Sequence, residues 1–232
     1  MVRVWDGPTR VFHWLLALLV LGSWASFEYS ERLKDHTLLM HRLSGYAILI
    51  LVVFRLIWGV AGSSTARFSS FVRGPFAAVG YGLDLLRGRD RHYLGHNPLG
   101  AFMILALLAV LVAQALLGLF NSQLDDGTVS GPLSSLWSDP SLRTIRTWHR
   151  RIFNYILLPL VAVHVTVNIL YALLKREPVI KAMITGKKPR GSYADAGQAS
   201  IAGNVWLRAL ICLLIAAAIV LVPVKIFGGD LI

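Results

Sequence analysis

Seven histidines stand in a 232-residue chain that is otherwise poor in groups able to do chemistry. Four of them, His13, His41, His149 and His164, fall within or at the mouths of long apolar runs, where an ionisable side chain is costly and usually functional. His149 and His164 lie 15 residues apart on one run. That is a rise of ~22 Å, with directions differing by only ~60°, so both look to the same side of a bundle at two depths. His41, near the start of the second run, is level with His149, and His13, one turn into the first, is level with His164. Two imidazole pairs stacked at two depths are the ligand set of two bis-histidine haems, each iron taking one imidazole from either side. A single intramembrane histidine is as often a hydrogen-bonded helix contact as a ligand, and zinc sites and proton relays also use histidine clusters. Four histidines in two matched levels favour haem. The one cysteine, Cys212, leaves no pair for covalent attachment, so the haems are expected to be b type; disulfides and cysteine-ligated iron–sulfur clusters are excluded.

The remaining histidines read as structural: His36 in a short outer loop, and His92 and His96 where Gly95 and Pro98 interrupt the helix that their spacing would need. Haem propionates are anionic and want guanidinium partners. Arg10 precedes His13 by one turn. Arg55 is 14 residues beyond His41, which puts it ~21 Å deeper at the inner level; a snorkelling interface residue is the equal alternative. Arg150, with Arg42, Arg146 and Arg151, crowds the outer pair, where propionates or an acidic partner protein are the candidate anions. Gly22, Gly45 and Gly118 allow close approach of a macrocycle or of a neighbouring helix. Pro159 should bend the fourth helix. The seven tryptophans fall mostly near span ends, as an interfacial belt would.

The elements that must position these groups are apolar helices. The chain is 56% hydrophobic and 15% charged, against about 25% charged in a soluble domain, which argues against a soluble enzyme. Five segments reach the roughly 20 residues needed to cross a bilayer: about 11–28, 38–60, 99–121, 151–174 and 205–224. The net charge of +11 does not imply nucleic acid, because the basic residues cluster in loops between spans. The flanks on one side (the N-terminus, 61–98 and 175–204) hold 13 Lys and Arg against 5 on the other. The N-terminus is therefore expected in the cytoplasm and the C-terminus in the periplasm. The 61–98 connection, with Phe68, Phe71, Phe76 and Tyr81 among arginines, suits a short amphipathic segment at the headgroups. Residues 186–204 read as a flexible cytoplasmic linker. The expected fold is all-α: a helical membrane bundle with a four-helix di-haem core over 1–185 and a fifth transmembrane helix with a short tail over 205–232.

Several motifs carry a family resemblance. Val4-Trp5-Asp6-Gly7-Pro8-Thr9-Arg10-Val11-Phe12-His13-Trp14 resembles the opening of the bacterial cytochrome b561 and nickel–iron hydrogenase b-type cytochrome family. His41-Arg42-Leu43-Ser44-Gly45-Tyr46, Phe54-Arg55-Leu56-Ile57-Trp58-Gly59, Arg67-Phe68 and Gly95-His96-Asn97-Pro98-Leu99-Gly100 are similar too, so that the likeness covers roughly 3–185. It implies a four-helix di-haem core of the bacterial inner membrane, ligated at His13, His41, His149 and His164. It also implies electron transfer between a quinone pool, with ubiquinone a candidate, and a partner such as a periplasmic cytochrome c or a hydrogenase.

Three functions follow as expectations. The first is an electron-transfer subunit, since two haems at two depths make a wire and no acid–base or nucleophilic constellation is visible. The second is a superoxide:quinone oxidoreductase, whose outer arginines would steer the superoxide anion. The third is the membrane anchor and electron acceptor of a nickel–iron hydrogenase.

Overall fold

The computed structural model describes residues 1–29, 36–89, 91–122, 130–195 and 203–228, without the side chains of 36–38. A two-residue strand β1 (Val2–Arg3) leads into α1 (Gly7–Glu28), α2 (His36–Ala61), the single turn α3 (Phe68–Phe71), α4 (Pro75–Leu86) and α5 (Pro98–Phe120). A 3-10 turn (Ser134–Leu136) precedes α6 (Asp139–Ile152), which runs through a π-helical turn (Phe153–Leu157) into α7 (Leu158–Leu174). Then come α8 (Val179–Thr185), the strand β2 (Lys187–Lys188) and α9 (Val205–Gly228). Among the described residues five helical stretches are long and apolar enough to cross a membrane: α1, Leu39–Ala61 of α2, α5, Asp139–Leu174 and α9. The chain is thus an all-α membrane protein with five candidate spans.

The boundaries differ from the sequence expectation in three places. His36 opens α2 rather than lying in a loop. The fourth span begins at Asp139, ahead of the apolar run, because Ser138 and Pro140 start a strongly amphipathic helix that the hydropathy signal overlooks. The stretch read as a flexible linker is tied down as far as Asp195; residues 196–202 lie outside the described residues. Lys188 pairs with Val2 in an antiparallel ladder and Lys187 with Arg3, and the Asp195 carboxylate accepts from the backbone N–H of Leu94 at 2.5 Å and Gly95 at 2.8 Å. Pro159 has no N–H and its ring crowds the carbonyl four residues back. The helix answers with the π turn just ahead of it, at 153–157.

Contacts divide the chain into two compact units. One holds residues 1–12, 55–107 and 160–211. Its small core is Val4, Trp5, Leu94 and Ala182. Asp6 caps α1 through the Thr9 N–H at 2.6 Å, the role of a short acidic side chain at a helix start, and also takes a hydrogen bond from Ser63 Oγ. Gly186 ends α8 at φ +76°, the left-handed region that suits glycine, and its carbonyl accepts from Val4 N–H at 2.8 Å. Trp58 is fully buried and donates Nε1–H to Thr9 Oγ1 at 3.1 Å; Trp5 is buried too. These two tryptophans belong to the core and not to an interfacial belt. Burial pushes the Lys188 ammonium below the ordinary lysine range, and the Glu177 carboxylate pulls it partly back. Gly7 has no room for a side chain, because a Cβ there would stand 2.4 Å from Cζ2 of Trp206 on α9.

The other unit holds residues 13–54, 108–159 and 212–232. Here α9 ends at Gly228, where a Cβ would meet the Pro132 carbonyl oxygen at 2.5 Å. Along its length α9 buries Ala209, Cys212, Ala216, Val220 and Val224. That spacing of three and four residues makes one face of a helix, and its small residues allow close packing.

Candidate haem site

The second unit brings together His41 on α2 and His149 on α6, with ring centroids 6.4 Å apart and planes at 82°. An imidazole centre lies about 3 Å from a metal bonded to one of its nitrogens, so two imidazoles on opposite sides of one iron stand about 6 Å apart. Each ring is held by its far nitrogen. His41 Nδ1 donates to the Ser23 carbonyl at 3.1 Å, with Ser23 Oγ at 3.2 Å. His149 Nδ1 donates to the Gln114 carbonyl at 3.1 Å. A backbone carbonyl can only accept, so both protons sit on Nδ1 and the lone pairs remain on Nε2. Anchoring the other nitrogen in this way fixes the tautomer and orientation of a ligating imidazole.

The surroundings fit a flat, anionic macrocycle. A Cβ added at Gly22 or Gly45 would meet nothing within 4 Å, while one at Gly118 would touch His149 Cε1 at 3.3 Å. Tyr46 Oη, Arg42 Nε and Gln114 Oε1 are buried polar atoms with no hydrogen-bond partner. Gln114 Nε2 faces His149 Nε2 at 3.3 Å. Among the described residues no group of three or more His, Cys, Asp or Glu could hold a metal, whereas a structural zinc takes four protein ligands.

The same unit holds His13, half-buried and edge-on to Trp14 at 5.0 Å. His164 lies in the first unit, half-buried, with its own carbonyl accepting from Asn168 Nδ2 at 2.7 Å. Of the arginines, Arg55 is only 4% exposed, with its guanidinium 4.7 Å over the Phe68 ring and Nη1 unpartnered. That burial argues against a snorkelling residue. Arg10 spends Nη1 on the Ile184 carbonyl at 2.6 Å, leaving a buried Nε without a partner. Arg150 is exposed, while Arg42 is half-buried.

His92 and His96 take structural places. His92 bonds the Glu177 carboxylate, and His96 packs between Trp5 and Phe71 with centroids at 4.6 and 4.7 Å. Sequence reasoning missed Ser23, Tyr46 and Gln114. Gln114 carried a usable signal, since it is the one amide in the otherwise apolar 98–120 run, and a polar group there demands a partner. Ser23 acts partly through its backbone carbonyl, which no residue type announces.

Residues 4–186 match the prokaryotic cytochrome b561 family. A protein named probable Ni/Fe-hydrogenase B-type cytochrome subunit from Rhizobium leguminosarum bv. viciae is 26% identical over 215 residues, covering 81% of this chain and 88% of the relative. Proteins of the same name from Cupriavidus necator (26% over 212 residues, 79% and 85% covered) and Azotobacter vinelandii (25% over 213 residues, 80% and 87% covered) are similar too. No solved structure matches. A match running from the first capped helix through α8, over a chain of five membrane-length helices, means that this protein belongs to the prokaryotic cytochrome b561 family and is a membrane b-type cytochrome, for which the family implies haem b.

Proposed function

We propose that this cytochrome carries electrons across the bilayer between the quinone pool and a redox partner, using two haem b groups at two levels. The observation that carries the reading is the His41–His149 pair, spaced at 6.4 Å and anchored through both Nδ1 atoms to backbone carbonyls. Bound haem supplies a one-electron centre whose potential is set by its axial ligands and its surroundings. The chain supplies the rest. Nε2 of His41 and of His149 would hold the outer iron, and the open backbone at Gly45 would leave room for the ring. The buried, unpartnered Arg42 Nε supports a role in neutralising a propionate, and the exposed Arg150 would share it. His13 and His164 would hold the second iron, a pairing that rests on helical rise alone. Buried Arg55 would serve the propionates of that level through its unpartnered Nη1, with Arg10 contributing Nε.

In this reading residues 1–185 form the electron-transfer core, 186–204 a cytoplasmic connection and 205–232 the fifth span. The N-terminus faces the cytoplasm of a bacterial inner membrane and the C-terminus the periplasm. The partner is a periplasmic cytochrome c or a comparable redox protein. A hydrogenase is the second reading, favoured by the names of the relatives, and it predicts co-purification with a large metalloenzyme.

The test is a pyridine haemochrome assay with low-temperature EPR of four single variants. Two acid-acetone-extractable haems per chain are expected. His41→Ala and His149→Ala should remove one low-spin signal, and His13→Ala and His164→Ala the other. One haem per chain, or a signal abolished by both His13→Ala and His41→Ala, overturns the assignment.

A further inference from the structure

The second candidate span ends at Ala61 and the third begins at Pro98, so the residues between them fall on one side of the membrane. Helix α4 occupies that stretch. Pro75 at its first position suits a helix start, and Gly88 at φ +68° ends it. Its 12 residues extend about 18 Å, too short to cross.

Its two faces are unlike. Ala78 and Tyr81 are buried, and Tyr81 Oη lies 3.2 Å from Tyr171 Oη on α7. On the opposite side Phe76 is 90% exposed and Leu86 86%, with Val79 and Leu83 exposed between them. These four fall within about 80° of arc, with no polar residue among them. A contiguous apolar stripe of this kind is rarely left to water. Arg73 ahead of the helix and Arg87 and Arg89 behind it are all exposed. Residues 67–91 carry five arginines against Asp84 and Asp90.

We propose that α4 docks on an anionic phospholipid surface, its apolar stripe entering the acyl boundary while Arg73, Arg87 and Arg89 hold lipid phosphates. The physics is that of an interfacial helix: buried apolar area supplies binding, and guanidinium–phosphate pairs supply headgroup selectivity. Each arginine near an anionic surface is worth about fivefold in lipid preference. Through the Tyr81–Tyr171 contact the lipid-seated helix also steadies the end of α7 that lies seven residues beyond His164.

The test uses the full chain in nanodiscs, with Cys212→Ala as background and a spin label at Phe76→Cys or, separately, at Leu83→Cys. Haem absorbance reports that each variant is folded. In discs containing phosphatidylglycerol both labels should be accessible to oxygen and shielded from a water-soluble nickel relaxant. In pure phosphatidylcholine the shielding should weaken. Arg87→Gln with Arg89→Gln should lower the phosphatidylglycerol preference, measured by lipid competition, by more than tenfold. Labels open to nickel in phosphatidylglycerol discs place the helix in water and overturn the proposal. Equal shielding in both lipids, with unchanged competition in the double variant, removes the anionic selectivity and overturns it too. Shielding from both relaxants, with a doubled particle mass, would mean that a second copy covers the stripe; the same shielding with another chain retained would mean a protein partner.

Discussion

Gly118→Ala isolates the support of His149, the proposed outer ligand. A methyl there would stand 3.3 Å from His149 Cε1, inside the 3.5–4.0 Å at which carbon atoms rest, so the imidazole must retreat by about 0.2–0.7 Å. Gln114 lies one turn before Gly118 on the same face of α5, so retreat from the methyl also lengthens the 3.1 Å contact between His149 Nδ1 and the Gln114 carbonyl. That contact is already near the long end for N–H···O. Losing such an anchor typically costs 10–100-fold in metal affinity. The expected result is about tenfold weaker retention of the outer haem, about 1.4 kcal/mol, with the inner haem unaffected. Haem content during thermal challenge, EPR g values and redox-titrated absorbance are the readouts. The sign is diagnostic, because glycine to alanine in a helix otherwise stabilises by roughly 1 kcal/mol. Unchanged g values and potential, with slower haem loss than wild type, would refute the reasoning.

Three further outcomes are expected. Arg55→Leu should lower the content of the inner haem and shift its potential while the His41–His149 signal persists; equal loss of both signals would mean general unfolding. Gly7→Ala should destabilise the fold by about 1–3 kcal/mol through overpacking against Trp206, and Trp206→Ala should relieve that cost in a double-mutant cycle of thermal haem release. Reporter fusions at Ile232 should be active only for a periplasmic enzyme; strong cytoplasmic reporter activity would reverse the orientation or remove the fifth span.

The sequence by itself determined the class of this protein. Five apolar runs of membrane length leave a helix as the only way to satisfy the backbone in lipid, and all five are helices here. Periodicity also put His149 and His164 on one side of one helix, and depth counting matched His41 to His149, which the structure brings to 6.4 Å. Both steps use helical rise and pitch, which are local properties of the backbone. Tertiary structure decided what rise and pitch cannot. Arg42 and Arg150 are one residue from His41 and His149, yet the first is half-buried and the second exposed; burial depends on packing, which the like sequence contexts do not carry. Trp58 and Trp137 both sit at span ends, but only Trp58 is sealed in the core, over Thr9. The carbonyls of Ser23 and Gln114 that orient the imidazoles belong to the backbone and leave no mark in residue type. Nor could hydropathy show that residues 187–195 are tied back by β1 and by the Leu94 and Gly95 amides, since those bonds join segments about 100 or more residues apart in the chain and exist only once the helices are packed.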